Sequence, residues 1–337
     1  MLVGCAGIKE EKMGYIDLHL HLDGAITVDI AKKLADMQGI TLPGANDEEL
    51  RKKLQVSPGC TDLNEFLECF ALPGSLLQTK EALTEAVRLV LEDCKKHGCV
   101  YAELRYAPQL HTEQGMSQED AVKAALEGLK KADIKANLIL CLMRGEGNEA
   151  ANEETLELAK KYLVNDGGVV AIDIAGAEGL FPTKNYRDIF TKAKEAGVPF
   201  TIHAGEADGA ESVKDALDFG ASRIGHGVRI YEDESVVDDI IRKNIPLEMC
   251  PTSNRQTHAV EDMSTYPIME YLEKGICVTV NTDDPAIEGT SIDKEFEYLR
   301  EKFGLTDGQE KKILENSVKA AFTTDEVKSE LRSRLGL

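Results

Sequence analysis

PFTIHAGEADGAESVKDALDFGASRIGHGVRIYEDESVVDDIIRKNIPLEM, residues 199–249, alternates short β-rich apolar runs with longer stretches of helical spacing. Pro199–His203, Arg223–His226 and Pro246–Met249 read as strands, and Glu211–Phe219 and Ser235–Lys243 between them read as helices. Strand and helix in regular succession call for a parallel sheet covered by helices. The same alternation extends in both directions: strands are expected at Tyr15–Leu20, Val100–Arg105, Asn137–Leu142, Val169–Ile174 and Ile276–Val280. Helices are expected at Ala82–His97, Gln118–Lys130, Glu153–Leu163 and Tyr186–Ala196. Eight such units allow the sheet to close, so the expected fold is α/β, a (β/α)8 TIM barrel. The rival is an open doubly wound sheet, against which stands the absence of a glycine-rich phosphate loop after any strand.

At 337 residues the chain is long enough for one barrel domain with insertions spanning 1–337, and two small domains are not required. The largest excess over a plain barrel is the stretch of about 80 residues between the first and second strands. Within it Leu63, Phe66, Leu67 and Phe70 share one helical face of Asp62–Phe70. This helix either packs on the barrel or, because it follows a strand's C-terminal end, belongs to a helical cap within 26–80 that roofs the active site. The acidic stretch Gly145–Glu154 reads as a solvated loop leading into a helix. No internal repeat or low-complexity tail is visible.

Lys plus Arg total 39 against 60 Asp plus Glu, a formal charge of −21. Such a surface is a poor match for nucleic-acid phosphates or anionic lipid, so neither is an expected partner, whereas a small neutral substrate is easily accepted. The eight cysteines form no C-x-x-C pair and no regular framework, and they read as buried thiols of a cytoplasmic protein. Leu2–Cys5 resembles the end of a lipoprotein signal only weakly, since no basic or apolar region precedes it. No run of the ~20 apolar residues needed to span a bilayer occurs. Oligomeric state is not legible.

Polar residues gather where an ordinary core would not want them. In Asp17-Leu-His19-Leu-His21-Leu-Asp23-Gly24 the two histidines stand two apart at a strand end, so their side chains point the same way. Thr201-Ile-His203-Ala-Gly-Glu206, Ile224-Gly-His226-Gly227 and Val280-Asn-Thr-Asp283-Asp284-Pro285 close three further strands. In a closed barrel all these ends ring one mouth. His19, His21, His203 and Asp283 can then hold a zinc ion with one place left for water, although iron or cobalt also suits such a set. Adjacent residues diverge, so with Asp283 on the metal Asp284 is free for a hydrogen bond to substrate; in the plainer account both only terminate the strand. Glu206 lies three residues past His203, near the metal's water without being obliged to bind the ion, and a desolvated site makes it a useful acid–base group. His226, between two glycines, can orient and stabilise hydroxide. Which of Glu206 and His226 takes the first proton stays open.

Seven segments together resemble the adenosine deaminase family of the amidohydrolase superfamily: H-L-H-L-D-G at 19–24, E-L-R-Y-A-P at 103–108, D-I-A-G at 173–176, H-A-G-E at 203–206, G-H-G at 225–227, C-P-T-S-N at 250–254 and N-T-D-D-P at 281–285. The likeness runs in order from about Tyr15 to Phe322. It implies one zinc ion per chain on His19, His21, His203 and Asp283, with water activated near Asp283 and His226. It further implies that Glu206 protonates purine N1 while hydroxide adds at C6, that Asp284 holds N7, that the Gly176 N–H reaches N3 and that Asp23 binds the ribose 5'-hydroxyl. The substrate so implied is adenosine or 2'-deoxyadenosine, and Cys250-Pro-Thr-Ser-Asn-Arg-Gln-Thr257 and the Phe66/Phe70 helix look like those of the nucleoside branch.

Neighbouring chemistries lack their residues here. Ala171–Gly176 offers no lysine of the kind that bridges two metals in binuclear relatives, and the H-x-E with P-C-x-x-C plan of other zinc deaminases is missing. Deamination of free adenine remains the serious competitor; AMP would call for a phosphate-holding basic cluster, and a non-enzymatic barrel for loss of the ligands or of Glu206. One departure stands out: Ala177 precedes Glu178 where the family commonly has an acidic residue. His97, His111 and His258 are expected to be structural or exposed.

Overall fold

The computed structural model describes residues 14–57 and 68–337. All eight expected strands form: β1 Tyr15–His21, β2 Cys99–Tyr106, β3 Lys135–Met143, β4 Val169–Ala175, β5 Thr201–Ala204, β6 Arg223–His226, β7 Leu247–Met249 and β8 Val278–Val280. Every pair is parallel, in two runs of four, β1 to β4 and β5 to β8. Two isolated bridges join the runs: Ile172 N–H donates to the Pro199 carbonyl at 3.0 Å, and Asp283 N–H donates to that of His19 at 2.8 Å. Neighbouring strands therefore meet all the way round, as the barrel requires. The second bridge also sets a candidate ligand-bearing turn directly against the strand of two others.

The helices match the spacing. Lys80–Lys96, Gln118–Lys131, Glu149–Tyr162, Arg187–Glu195, Ala210–Phe219 and Glu234–Lys243 lie within a few residues of expectation. Their starts are chemically marked: Thr79, Ser117 and Asp233 accept backbone N–H bonds as N-caps. Glu149 opens its helix within the acidic stretch expected to be loop, so only its first part is a turn.

After β1 come a short 3-10 turn, Asp23–Ala25, and helices Val28–Gln38, Asp47–Leu54 and Ala71–Leu76. Of the expected helix Asp62–Phe70, residues 62–67, including Leu63, Phe66 and Leu67, lie outside the described residues. Val56 N–H bonds the Ile287 carbonyl at 2.9 Å, and half-buried Phe70 packs with Val56, Cys69 and Ile287. The insertion thus touches the segment just beyond Asp283 and Asp284.

Three helices that the spacing argument did not reach, Ile292–Phe303, Asp307–Ala320 and Asp325–Leu335, complete the chain. The last seals the lower end, where Leu331 and Leu335 join Ile16, Leu18, Val100 and Tyr101. None of the described helices is long and apolar enough to cross a membrane. Cys94, Cys99, Cys141, Cys250 and Cys277 are free thiols, Cys69 is buried, and Cys5 and Cys60 fall outside the described residues.

Candidate active site

β2 is buried along its whole length although it carries Glu103 and Arg105. Parallel strands covered on both sides are normally apolar runs, so two charges at alternate positions need partners inside the barrel. Arg105 reaches across to Asp173 on β4 at 2.6 Å, to Glu248 on β7 at 2.9 Å and to the Leu18 carbonyl at 2.6 Å. Arg223 on β6 binds Glu248 at 2.6 Å and Glu103 at 2.7 Å, with its guanidinium 3.9 Å from the Phe322 ring centre. Burial pushes the Glu248 carboxyl up, and Arg105, Arg223 and His19 more than reverse it, holding it well below the usual range.

The two carboxylates that share Arg105 each face a histidine. Glu248 lies 2.8 Å from His19 Nδ1, and Asp173 lies 2.8 Å from His203 Nδ1. With Nδ1 facing a carboxylate, the lone pair of each ring is turned out through Nε2. His19 Nε2 and His203 Nε2 are 3.1 Å apart, His21 Nε2 and His203 Nε2 3.2 Å, and Asp283 Oδ1 stands 3.2 Å from His19 Nε2 and 3.4 Å from His21 Nε2. Zinc bonded to nitrogen at ~2.0–2.1 Å in a tetrahedron has edges of ~3.3–3.4 Å. Three imidazole nitrogens and a carboxylate oxygen at such separations fit a small divalent cation and make poor neighbours without one. Gly225 is needed here, because a Cβ on it would stand 3.1 Å from His203 Cα and 3.2 Å from His19 Cε1.

Around this set the other expected residues assemble. His226 Nε2 lies 3.6 Å from Glu206 Oε2 and 3.7 Å from Asp283 Oδ2. Asp283 and His226 both hold positive φ, 62° and 61°, where non-glycine residues are uncommon. Burial, ahead of the charges of Asp283 and Glu178, pushes the Glu206 carboxyl toward its protonated form. Asp284 is pushed up further by burial and by Asp283, Asp23 and Glu206, and its Oδ1 is buried without a partner. Gly24 makes room for it, since a Cβ there would sit 1.8 Å from that oxygen. Asp23, Asp284 and His21 bring their side-chain donor atoms within 4.8 Å of one another. Gly176 follows β4 with φ 103° and is exposed. Phe70 reaches this region through Ile287, and Phe66 lies outside the described residues. A cavity of about 560 Å³ behind the Asp283 turn, lined by Asp17, Thr282, Arg51 and His97 among others, includes none of the four candidate ligands.

Sequence reasoning missed the residues that hold these groups. Thr257 Oγ1 donates to Glu206 Oε1 at 3.1 Å. Tyr266 donates to Asn254 Oδ1 at 2.8 Å, which turns the Asn254 amide nitrogen toward His226 Nδ1 at 3.0 Å and leaves the ring proton on Nε2. Signals were present for Arg105, as a charge within an otherwise apolar strand, and for Asn254, as part of C-P-T-S-N. Thr257 carried only its place at the end of the segment Cys250–Thr257. His111 is buried, its ring pushed down to about 4 by burial; His97 pairs with Asp293 at 3.2 Å, and His258 is exposed. Ala177 is exposed, whereas Glu178 beside it is buried.

A closed barrel whose one mouth aims three imidazoles and a carboxylate at a common point, with a glutamate and a fourth histidine beside it, is an amidohydrolase-type hydrolase site. The chain belongs to the adenosine deaminase family, whose sequence model matches residues 15–336. It is 50% identical to the adenosine deaminase of Haemophilus ducreyi, over 96% of this chain and 95% of that one. Identity to the adenosine deaminase of Clostridium botulinum is 41%, over 96% and 97%. Among solved structures, the adenine deaminase of Arthrobacter aurescens superposes with a TM-score of 0.86 at 30% identity, covering 96% of this chain and 98% of that one. The N6-methyl-AMP deaminase of Arabidopsis thaliana gives 0.81 at 26% identity, covering 96% of each.

Proposed function

We propose that the protein is a zinc-dependent adenosine deaminase, one metal ion per chain, converting adenosine or 2'-deoxyadenosine with water to the inosine compound and ammonia. The observation that carries this is the convergence of His19, His21, His203 and Asp283 beside Glu206 and His226. The level of identity to curated adenosine deaminases supports the substrate. In this reading the chain is a single domain, and the helices within 26–80 cap the mouth. The free thiols of Cys94, Cys99, Cys141, Cys250 and Cys277 fit a cytoplasmic enzyme.

A zinc ion held by these four residues supplies Lewis acidity that makes water a nucleophile at neutral pH. The chain's own groups do the rest. Glu206, favoured in its protonated form by burial, donates to purine N1 and so draws electrons from C6. His226 offers Nε2–H to the oxygen of the incoming water, and Asp283 Oδ2 accepts a proton from it. Protonated Asp284 donates to N7, the Gly176 N–H donates to N3, and Asp23 accepts from the 5'-hydroxyl. Phe70 contributes an apolar wall. Addition at C6 gives a tetrahedral carbon; the proton that Asp283 took from water passes to the amino group, which leaves as ammonia, and the C6 hydroxyl returns a proton to Glu206 as the ring is restored.

A second reading, deamination of free adenine, is favoured by the likeness to the Arthrobacter enzyme. Ammonia release from adenosine, 2'-deoxyadenosine, adenine and AMP, with elemental analysis of the same sample, separates the two. Turnover of the nucleosides with one zinc per chain is expected. Preference for adenine over every nucleoside overturns the substrate, and two metals per chain overturn the mononuclear site.

A further inference from the structure

Glu178 is buried to 2% exposure in the loop after β4, yet it serves the loop after β5. Its Oε1 accepts from the Gly205 N–H at 2.8 Å and the Ser212 hydroxyl at 2.5 Å. Its Oε2 accepts from the N–H groups of Glu206, Ala207 and Asp208 at 3.1, 2.8 and 3.0 Å. Four consecutive backbone donors thus close on one carboxylate, an anion-holding concavity of main-chain N–H groups filled from within the chain. Burial pushes this carboxyl up, and Ser212, the backbone donors and Arg144 more than offset it, so it is held ionised. Arg144 ties the same two loops again, donating to the Phe181 carbonyl at 2.7 Å, Thr183 at 2.9 Å and the His203 carbonyl at 2.6 Å. Thr183 in turn lies 2.7 Å from Ser212.

We propose that Glu178 is a positioning residue for the deamination, a splint that fixes the spacing between the Gly176 N–H and the Glu206 carboxyl. The inference rests on the functional reading above, in which those two groups contact N3 and N1. These ring atoms flank C2 on one edge of the purine, so the two protein groups must approach one edge at a set separation. Gly176 and Glu206 sit on different loops, and nothing in either loop alone sets their distance. Glu178 is two residues from Gly176 and hydrogen-bonded to the N–H of Glu206 itself, so it links the two along a short path. Thr257 completes the hold by fixing the far end of the Glu206 side chain. A general acid must lie within hydrogen-bond reach of its target, and a misplacement of ~1 Å costs on the order of 100-fold.

Glu178→Gln tests this, because the amide keeps the shape but replaces one accepting oxygen with a donor that meets the N–H groups head-on. The expected variant keeps its metal, loses roughly 10- to 100-fold in kcat, and shows a much smaller rise in KM. The deciding readout is a double-mutant cycle with Glu206→Gln. A splint acting through Glu206 makes the second substitution cost far less in the Glu178→Gln background than in the wild type, whereas a purely structural role gives additive losses and overturns the proposal. Unchanged kcat in metal-loaded Glu178→Gln overturns it as well. A measurement on the wild type keeps the test independent of whether the variant folds: the amides of residues 205–208 must resist hydrogen exchange although they lie in a loop, and rapid exchange refutes the splint. A wild-type enzyme inactive on adenosine but protected at these amides refutes the functional reading and leaves the clamp standing.

Discussion

Replacing Arg105 with Met removes one guanidinium and keeps a side chain of similar reach. Asp173 and Glu248 then lose the cation they share, while Asp173 keeps its contact to His203 and Glu248 keeps Arg223 and His19. Breaking a buried pair by deleting one partner costs about 3–5 kcal/mol. An unfolding entropy of about 2.1 cal/mol/K per residue over 337 residues amounts to about 0.7 kcal/mol/K. The expected fall in Tm is therefore about 4–7 °C, measured on the metal-free protein by calorimetry. A second effect follows from geometry, because the same two carboxylates orient His19 and His203. Loss of groups that orient ligands weakens metal affinity by about 10–100-fold, and Arg105 acts one contact further out, so about 10-fold is expected in competition with a chelator. Arg105→Lys, which cannot fork to two carboxylates, should recover only part of either effect. A variant with wild-type Tm and wild-type metal affinity would refute the idea that one cation organises both dyads.

Glu206→Gln should fold and keep its metal while losing about 100- to 10,000-fold in kcat, since an amide has no carboxyl proton for N1; near-normal turnover moves the acid role elsewhere. Asp23→Ala should lose about ten- to two-hundred-fold in kcat/KM on adenosine and markedly less on 5'-deoxyadenosine, which lacks the hydroxyl; equal losses on both remove the assigned contact. Burial raises the Glu295 carboxyl to about 7, against the donors Thr252 and Thr290 that favour its ionised form. An acid raised on folding stabilises most below its unfolded value near 4.5, and that contribution, roughly 3 kcal/mol, is lost as pH rises toward 7. Glu295→Gln should therefore flatten the decline in Tm between about pH 4.5 and 7, and an unchanged slope assigns the decline to other groups.

The barrel was legible because its strands are short apolar runs and its functional residues fall at their ends. His19, His21, His203, His226 and Asp283 each stand at or just past a strand end, which topology alone carries to one mouth. The charges beneath them were less legible. Arg105 finds Asp173 68 residues away and Glu248 143 residues away, and no local pattern encodes such pairing. The one available clue was in β2, where Glu103 and Arg105 share a face of a strand too apolar to lie at the surface. Glu178 and Thr257 were harder still. Both are polar residues in loops of ordinary composition, and their meaning depends on the position of another loop's backbone.

Taken as packing alone, this mouth opposes the fold. Asp283 and His226 occupy left-handed backbone, His226 Nε2 and Asp284 Oδ1 are buried without partners, and His203 Nε2 lies 3.1 and 3.2 Å from the Nε2 atoms of His19 and His21. Each strained backbone position costs about 1–3 kcal/mol and each unpaired buried polar atom about 1–3 kcal/mol. Their alignment gives the cost a direction. The imidazoles face a point where a cation turns repulsion into coordination, Nε2 of His226 faces the oxygen of the attacking water, and Asp284 faces the purine. Groups that the fold leaves unsatisfied are the groups the proposed reaction satisfies, so metal and substrate recover free energy that folding left unused. The rigid support beneath follows from the same logic: both terminal nitrogens of Arg105 are bonded, Arg223 and Glu178 are bonded throughout, and such a layer holds unsatisfied atoms in place without collapse around them.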